Sequence, residues 1–92
     1  MTPIDNTPAL QQKCAAGEGY IYNDFSGHGS TGNRYNVLHM ASCDALARRG
    51  TVPPRKFFSL DLKAAVDWLN ANRGPEGQNW KRCDTQNNHC FG

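Results

Sequence analysis

Four cysteines in a chain of only 92 residues are the feature that most constrains its fold. A domain of this size buries only roughly 60 to 65% of the surface that its unfolded chain exposes. Hydrophobic residues make up 38% of the chain, and nine Gly and five Pro keep its segments short. Packing alone therefore gives a thin core, which in small domains is usually supplemented by a cross-link. The candidates for that cross-link are Cys14, Cys43, Cys83 and Cys90.

The N-terminal residues indicate the compartment, and the compartment bears on the type of cross-link. The first eight residues have neither the basic start nor the apolar run of a secretory signal. No stretch approaches the roughly 18 apolar residues of a membrane-spanning helix. We therefore expect a cytoplasmic protein with no membrane partner, where cysteines bind metal more often than they form disulfides. Zinc binding is the favoured interpretation of the four cysteines, and two disulfides or free buried thiols are the alternatives.

The chain divides into an arm and one domain. Residues 1–16 include Pro3 and Pro8 and show little hydrophobic periodicity, so we predict a loose N-terminal arm. Residues 17–92 then form a single domain. Two runs of alternating strand-forming residues, 20–25 and 34–40, predict a β-hairpin with a long, Gly-rich connection.

The second half of the domain predicts helices and one strand. Ser42 is placed to cap a short helix over residues 43–49, and residues 55–58 predict a strand. A longer amphipathic helix follows, capped by Ser59 or Asp61, with apolar residues at helical spacing: Leu62, Ala65, Val66 and Leu69. The expected fold class is α+β, a small zinc-stabilised domain with a hairpin, a short helix, a strand and one amphipathic helix.

The predicted strand and short helix bring together the first two candidate metal ligands. His39 lies at the end of a strand, and Cys43 follows it after three intervening residues, in the first turn of the helix. Helix N-termini favour a thiolate, which is the form of cysteine that binds zinc. Cys83 and Cys90 complete a structural Cys₃His site that would hold Zn²⁺. Cys14 is a rival for the fourth position, and His89 is a rival for Cys90.

This order of residues resembles that of small Cys/His zinc modules. The similarity covers residues 34–90 and rests on the His39-x3-Cys43 pair, the Lys56-Phe-Phe58 strand, a helix and the Trp80-Lys-Arg-Cys83 segment. Modules of this kind are found attached to DNA repair and modification-dependent DNA-processing proteins. The resemblance implies a non-catalytic role in nucleic-acid recognition, with DNA a more natural partner than RNA.

The distribution of charge is compatible with that role. The net charge is only +2, but residues 34–56 hold five basic side chains against Asp44 alone. Closure of the metal site would bring the late basic pair into the same patch, where cations contact phosphates and an exposed aromatic stacks on a base. The predicted nucleic-acid-binding residues are Arg34, Arg48, Arg49, Arg55, Lys56, Lys81, Arg82 and Trp80. A solvated surface of scattered charges is the competing interpretation.

Two other classes of function remain as alternatives. A protein-interaction or accessory domain would expose Phe57, Phe58 or Trp80, and a secreted domain would join its cysteines in disulfides. The residues Asp24, Ser26 and His28 suggest acid–base chemistry, but no predicted helix or supporting group holds their geometry. We therefore expect no catalytic residues.

Overall fold

The computed structural model describes residues 1–24, 36–84 and 90–91. Its elements in chain order are β1 (Thr2–Ile4), α1 (Thr7–Ala16), β2 (Tyr20–Asp24), β3 (Val37–Met40), α2 (Asp44–Arg49), β4 (Arg55–Ser59), α3 (Leu62–Asn72) and β5 (Lys81–Arg82). The strands form one five-stranded sheet, so the α+β fold class predicted from the sequence is confirmed. Within the described ranges, every helix is too short or too polar to cross a lipid bilayer.

The first sixteen residues are ordered as a strand and a helix, so the prediction of a loose arm was wrong. Asn6 caps α1 by accepting a hydrogen bond from the backbone N–H of Ala9 at 2.9 Å. Pro8 lies in the first turn, where a missing N–H costs no intrahelical hydrogen bond. Gly17 ends the helix in the left-handed conformation, with φ of 71°. The two prolines thus fit the edge strand and the helix start.

The sheet has the strand order β1-β4-β2-β3-β5. Strands β2 and β3 pair antiparallel, which confirms the predicted hairpin, and its connection lies outside the described residues. Strand β4 pairs antiparallel with both β1 and β2. Strand β5 pairs parallel with β3. This pairing places the C-terminal segment at the edge of the sheet, beside the hairpin strand β3.

Both faces of the sheet are covered by helices. Ile21 packs with Leu10 of α1 and Leu46 of α2 on one face. Its neighbour Tyr22 packs with Leu69 of α3 on the other face, because successive strand residues point to opposite sides. Neither face of the central strand β2 lies open to solvent, and its polar residue Asp24 is buried.

The N-cap residue predicted from the sequence is correct for α3 and incorrect for α2. Asp61 caps α3 by accepting a hydrogen bond from the N–H of Ala64 at 2.8 Å, as predicted. The N-cap residue of α2 is Cys43 rather than Ser42, and its side chain makes no capping hydrogen bond. The thiol of Cys43 therefore lies at the junction itself and is fully buried.

A buried ion pair holds α3 to the sheet. Asp24, at the end of β2, accepts hydrogen bonds from Arg73 at 2.8 and 3.4 Å and forms an ion pair with Arg55 at 3.4 Å. Its side chain is fully buried, whereas that of Arg55 is 70% exposed. Arg73 is therefore the main partner. Burial beside Asp24 also raises the pKa of Tyr22 to about 12.

Replacement of Asp24 by Asn should destabilise the fold by about 3 kcal/mol, because it leaves the largely buried Arg73 guanidinium without its counter-ion. Urea denaturation followed by circular dichroism measures the change. The matched control is Asp67→Asn, which breaks an exposed pair with Lys63 and should leave the midpoint unchanged. Equal midpoints for the two variants would show that the buried pair does not hold α3.

Candidate metal centre

The first half of the site is built by the turn between β3 and α2. His39 lies opposite Ile21 in the hairpin, on the face covered by α1 and α2. The chain then reverses within three residues, and the backbone N–H of Cys43 donates to the carbonyl of Met40 at 3.0 Å. This tight turn brings the Cys43 thiol back toward the imidazole of His39.

The second half of the site is placed by the parallel strand β5. Val37 is opposite Lys81 and Leu38 is opposite Arg82, and the N–H of Cys83 donates to the carbonyl of Leu38 at 2.8 Å. The next position along this ladder puts Cys83 beside His39 on the same face. Backbone pairing, rather than a local sequence motif, therefore unites the two halves.

His39, Cys43, Cys83 and Cys90 form one group whose ligand atoms all lie within 4.8 Å of one another. The Sγ atom of Cys90 is 3.8 Å from Nδ1 of His39. In a tetrahedral zinc site the bond lengths imply separations of roughly 3.5 to 3.8 Å between ligand atoms. Shifts of about 1 Å or less thus convert this cluster into a metal-binding geometry.

The environment of the cluster bears on the protonation of His39 and Cys90. Burial, assisted by the positive charge of Lys56, lowers the pKa of His39 to about 4, so the imidazole is neutral and has a lone pair for a metal. Burial raises the pKa of the Cys90 thiol, and hydrogen bonds with Cys83 and Cys43 add to the effect. A thiolate in this setting requires a positive charge beside it, which a metal ion supplies.

The structure separates the favoured ligands from their rivals. Cys14 packs against the same core cluster, but it is not in the group of four. Burial and the nearby Cys43 raise the pKa of the Cys14 thiol. His89 lies outside the described residues. All four cysteines are free thiols, including Cys14.

The structure does not bring the predicted nucleic-acid-binding residues into one exposed patch. Lys56 is only 3% exposed and donates to the carbonyls of Thr51 and Pro54 at 2.8 and 3.1 Å. Burial lowers its pKa to about 8. Trp80 is fully buried and donates to the carbonyl of Gly74 at 2.7 Å, so it cannot stack on a base. Both assignments were wrong, because these positions lie on covered faces of the sheet.

The remaining basic residues differ in their surroundings. Arg48 and Arg49 are exposed in the last turn of α2. Lys81 is half-buried, and Arg82 pairs with Glu76 at 3.1 Å. The predicted residue Arg34 lies outside the described residues. Arg55 pairs with Asp24 and follows the alternation of β4 toward the α3 side of the sheet, away from α2.

The structure also shows where the residues proposed for the alternative functions lie, as far as they are among the described residues. Phe57 is buried, Phe58 is half-buried against the α1 side, and the exposed large hydrophobic side chain in the described ranges is Leu60. The aromatic surface expected of a protein-interaction domain is therefore not formed by these two residues. Asp24 is held by arginines, and the other two candidate catalytic residues, Ser26 and His28, lie outside the described residues.

Sequence reasoning missed a cavity beside His39. It is lined by Asn23, Arg49 and Lys56, among other residues, and has a volume of about 300 Å³. The available signal was the alternation of β4, which places Lys56 and Phe58 on one face of the sheet. The alternation indicates that Lys56 is buried only once both faces of the sheet are known to be covered by helices.

Comparison with protein-family models, curated proteins and solved structures finds no match to this chain. The class of site is therefore defined by its geometry: three cysteine thiols and one imidazole at a strand-to-helix junction, arranged as a candidate metal centre.

The geometry predicts which cysteines a metal needs. Cys83→Ser should abolish tight binding of Co²⁺, which reports thiolate ligation through its charge-transfer absorption, because a hydroxyl is a poor ligand for such an ion. Cys14→Ser is the matched control and should bind Co²⁺ like the original chain. Loss of the absorption in Cys14→Ser, with retention in Cys83→Ser, would contradict the ligand set.

Proposed function

We propose that this chain is a small, non-catalytic zinc-stabilised binding module. The observation that carries the proposal is the convergence of His39, Cys43, Cys83 and Cys90 on one point. Soft thiolates with one imidazole are the ligands of structural Zn²⁺. Because protein side chains fill all four positions, a tetrahedral ion has no open position for a substrate or a reactive water.

The ion has a clear structural task in this fold. Strand β5 contributes only two residues to the sheet, and Cys90 lies beyond it in the chain. Zinc would tie this segment to the β3–α2 junction across a loop of about forty residues, where restriction of the unfolded chain is substantial. Structural zinc contributes on the order of 10 kcal/mol in small zinc-finger peptides, so the thin core is supplemented by the metal.

Native mass spectrometry of the chain, purified without added metal, tests for zinc. We expect one bound ion, a gain of about 63 Da after allowance for the displaced protons, and its loss in the presence of a chelator. Removal of the ion should also reduce the helix and strand signal in circular dichroism. A metal-free mass about 4 Da below the reduced value would mean two disulfides and would refute the proposal.

We further propose that the partner of the module is nucleic acid, with DNA favoured over RNA, and that α2 contacts its phosphates. The support is local: α2 begins directly after the proposed ligand Cys43 and ends with the exposed Arg48 and Arg49. A metal at Cys43 would fix the first turn of a six-residue helix that is too short to be stable alone. The two arginines are thereby held at a defined place for phosphate oxygens.

Fluorescence anisotropy with labelled duplex DNA at several salt concentrations tests the partner. Binding should weaken as salt rises, with a log–log slope that falls by roughly 0.9 for each phosphate contact removed. The double variant Arg48→Gln with Arg49→Gln removes about two phosphate contacts and should reduce the magnitude of that slope accordingly. The control Lys63→Gln, on α3, should not change the slope. An absence of binding at low salt would reject nucleic acid as the partner while leaving the zinc proposal intact.

A further inference from the structure

The cavity beside the metal centre has the features of a ligand pocket. Strands β2, β3 and β4 provide its floor through Asn23, His39 and Lys56, and α2 and the segment after it provide its walls. Its volume of about 300 Å³ lies at the lower end of the range found for sites that bind small molecules. The cavity is much larger than a single water or inorganic ion requires.

The charged groups around this cavity are all basic. Lys56 and Arg49 line it, and no aspartate or glutamate does. All eight Asp and Glu side chains of the protein lie in the described ranges, and none forms an ion pair with Lys56 or Arg49. Burial of a cation without a counter-ion is costly, so the cavity attracts an anion.

The lysine is also held in place. The carbonyls of Thr51 and Pro54 accept two hydrogen bonds from its ammonium group. An ammonium has three N–H donors, so two fixed carbonyls leave one for a ligand. The amine is therefore oriented before a ligand arrives, and little side-chain entropy remains to be lost on binding.

Part of the remaining lining is apolar. Leu46 of α2 and Pro54 face the cavity, and Gly50 presents a backbone without a side chain. A Cβ atom at Gly50 would lie 2.5 Å from the carbonyl oxygen of Leu46, so a side chain is not tolerated there. These surfaces suit the flat or aliphatic body of an organic molecule, while the polar groups suit its charged end.

We propose that this cavity binds a small organic anion, with its carboxylate or phosphate on Lys56 and Arg49 and its apolar body against Leu46 and Pro54. The site shares Arg49 with the phosphate-binding surface proposed for α2, but it also uses the buried Lys56, and Arg48 does not line the cavity. Its occupancy and the metal content can be measured independently. The two sources of the oxyanion, a carboxylic acid and a phosphate ester, are distinguished by experiment.

The test is a titration of the chain as purified, followed by ¹H–¹⁵N NMR. The probes are benzoate, phenyl phosphate and the neutral benzamide, each to about 10 mM, which detects dissociation constants near 1 mM. We expect saturable shifts at the amides of Gly50 and Thr51 with at least one anion. Benzoate alone would identify a carboxylate site, and phenyl phosphate alone a phosphate site.

Substitutions locate the binding. Arg49→Gln should weaken the anion about tenfold, the usual effect of removing one charge-assisted hydrogen bond. Its neighbour Arg48→Gln is the matched control and should leave the affinity unchanged. Lys56→Met should abolish binding, and if that variant fails to fold, the Arg49 and Arg48 pair decides alone. Equal shifts with benzamide, no saturation with any probe, or equal effects of both arginine variants would overturn the proposal.

Discussion

The site depends on two residues of parallel pairing. Lys81 and Arg82 of β5 align with Val37 and Leu38 of β3, and this short ladder sets Cys83 next to His39. Such a ladder contributes few hydrogen bonds and lies at the edge of the sheet, so it is weak alone. Trp80 adds stability immediately before it, since its ring is fully buried and its indole N–H is bonded to Gly74. Pairing, aromatic anchor and ligand cluster therefore support one another, and a metal would strengthen all three.

The two faces of the sheet perform different tasks. The α3 face is closed by Tyr22, Leu38 and Leu69, and at its end Asp24 is neutralised by Arg73 and Arg55. The other face carries the thiols, the imidazole and the buried Lys56. Opposite charges are paired on the first face, whereas on the second face the basic lysine lacks a carboxylate. The candidate metal ligands and the buried lysine therefore lie together on the side covered by α1 and α2.

The sequence predicted the local elements well and their assembly poorly. Alternation and capping identified the hairpin, α2, β4 and α3, because these signals lie within a few neighbouring residues. The His39 and Cys43 pair was likewise local, and the late cysteines were selected by position. Strands β1 and β5 were missed because two or three residues are too few to show an alternating pattern of hydrophobic residues. Helix α1 was missed because it has almost no apolar face. Lys56 and Trp80 were wrongly assigned to nucleic-acid binding. Their residue types suggest an exposed cation and a stacking ring, whereas their burial depends on which elements cover the sheet.

Helix α2 connects the proposed properties of the molecule. Its first residue follows the candidate ligand Cys43, its last turn exposes Arg48 and Arg49, and Leu46 packs in the core beside the cavity. A helix of six residues has little stability of its own, so its position follows from its two ends. The end at Cys43 would respond to a metal bound there, and the segment beyond Gly50 is held by hydrogen bonds between Thr7 and Val52 and between Lys56 and the carbonyls of Thr51 and Pro54. A change at the candidate metal centre would therefore act on the arginines and on the cavity through this one short helix.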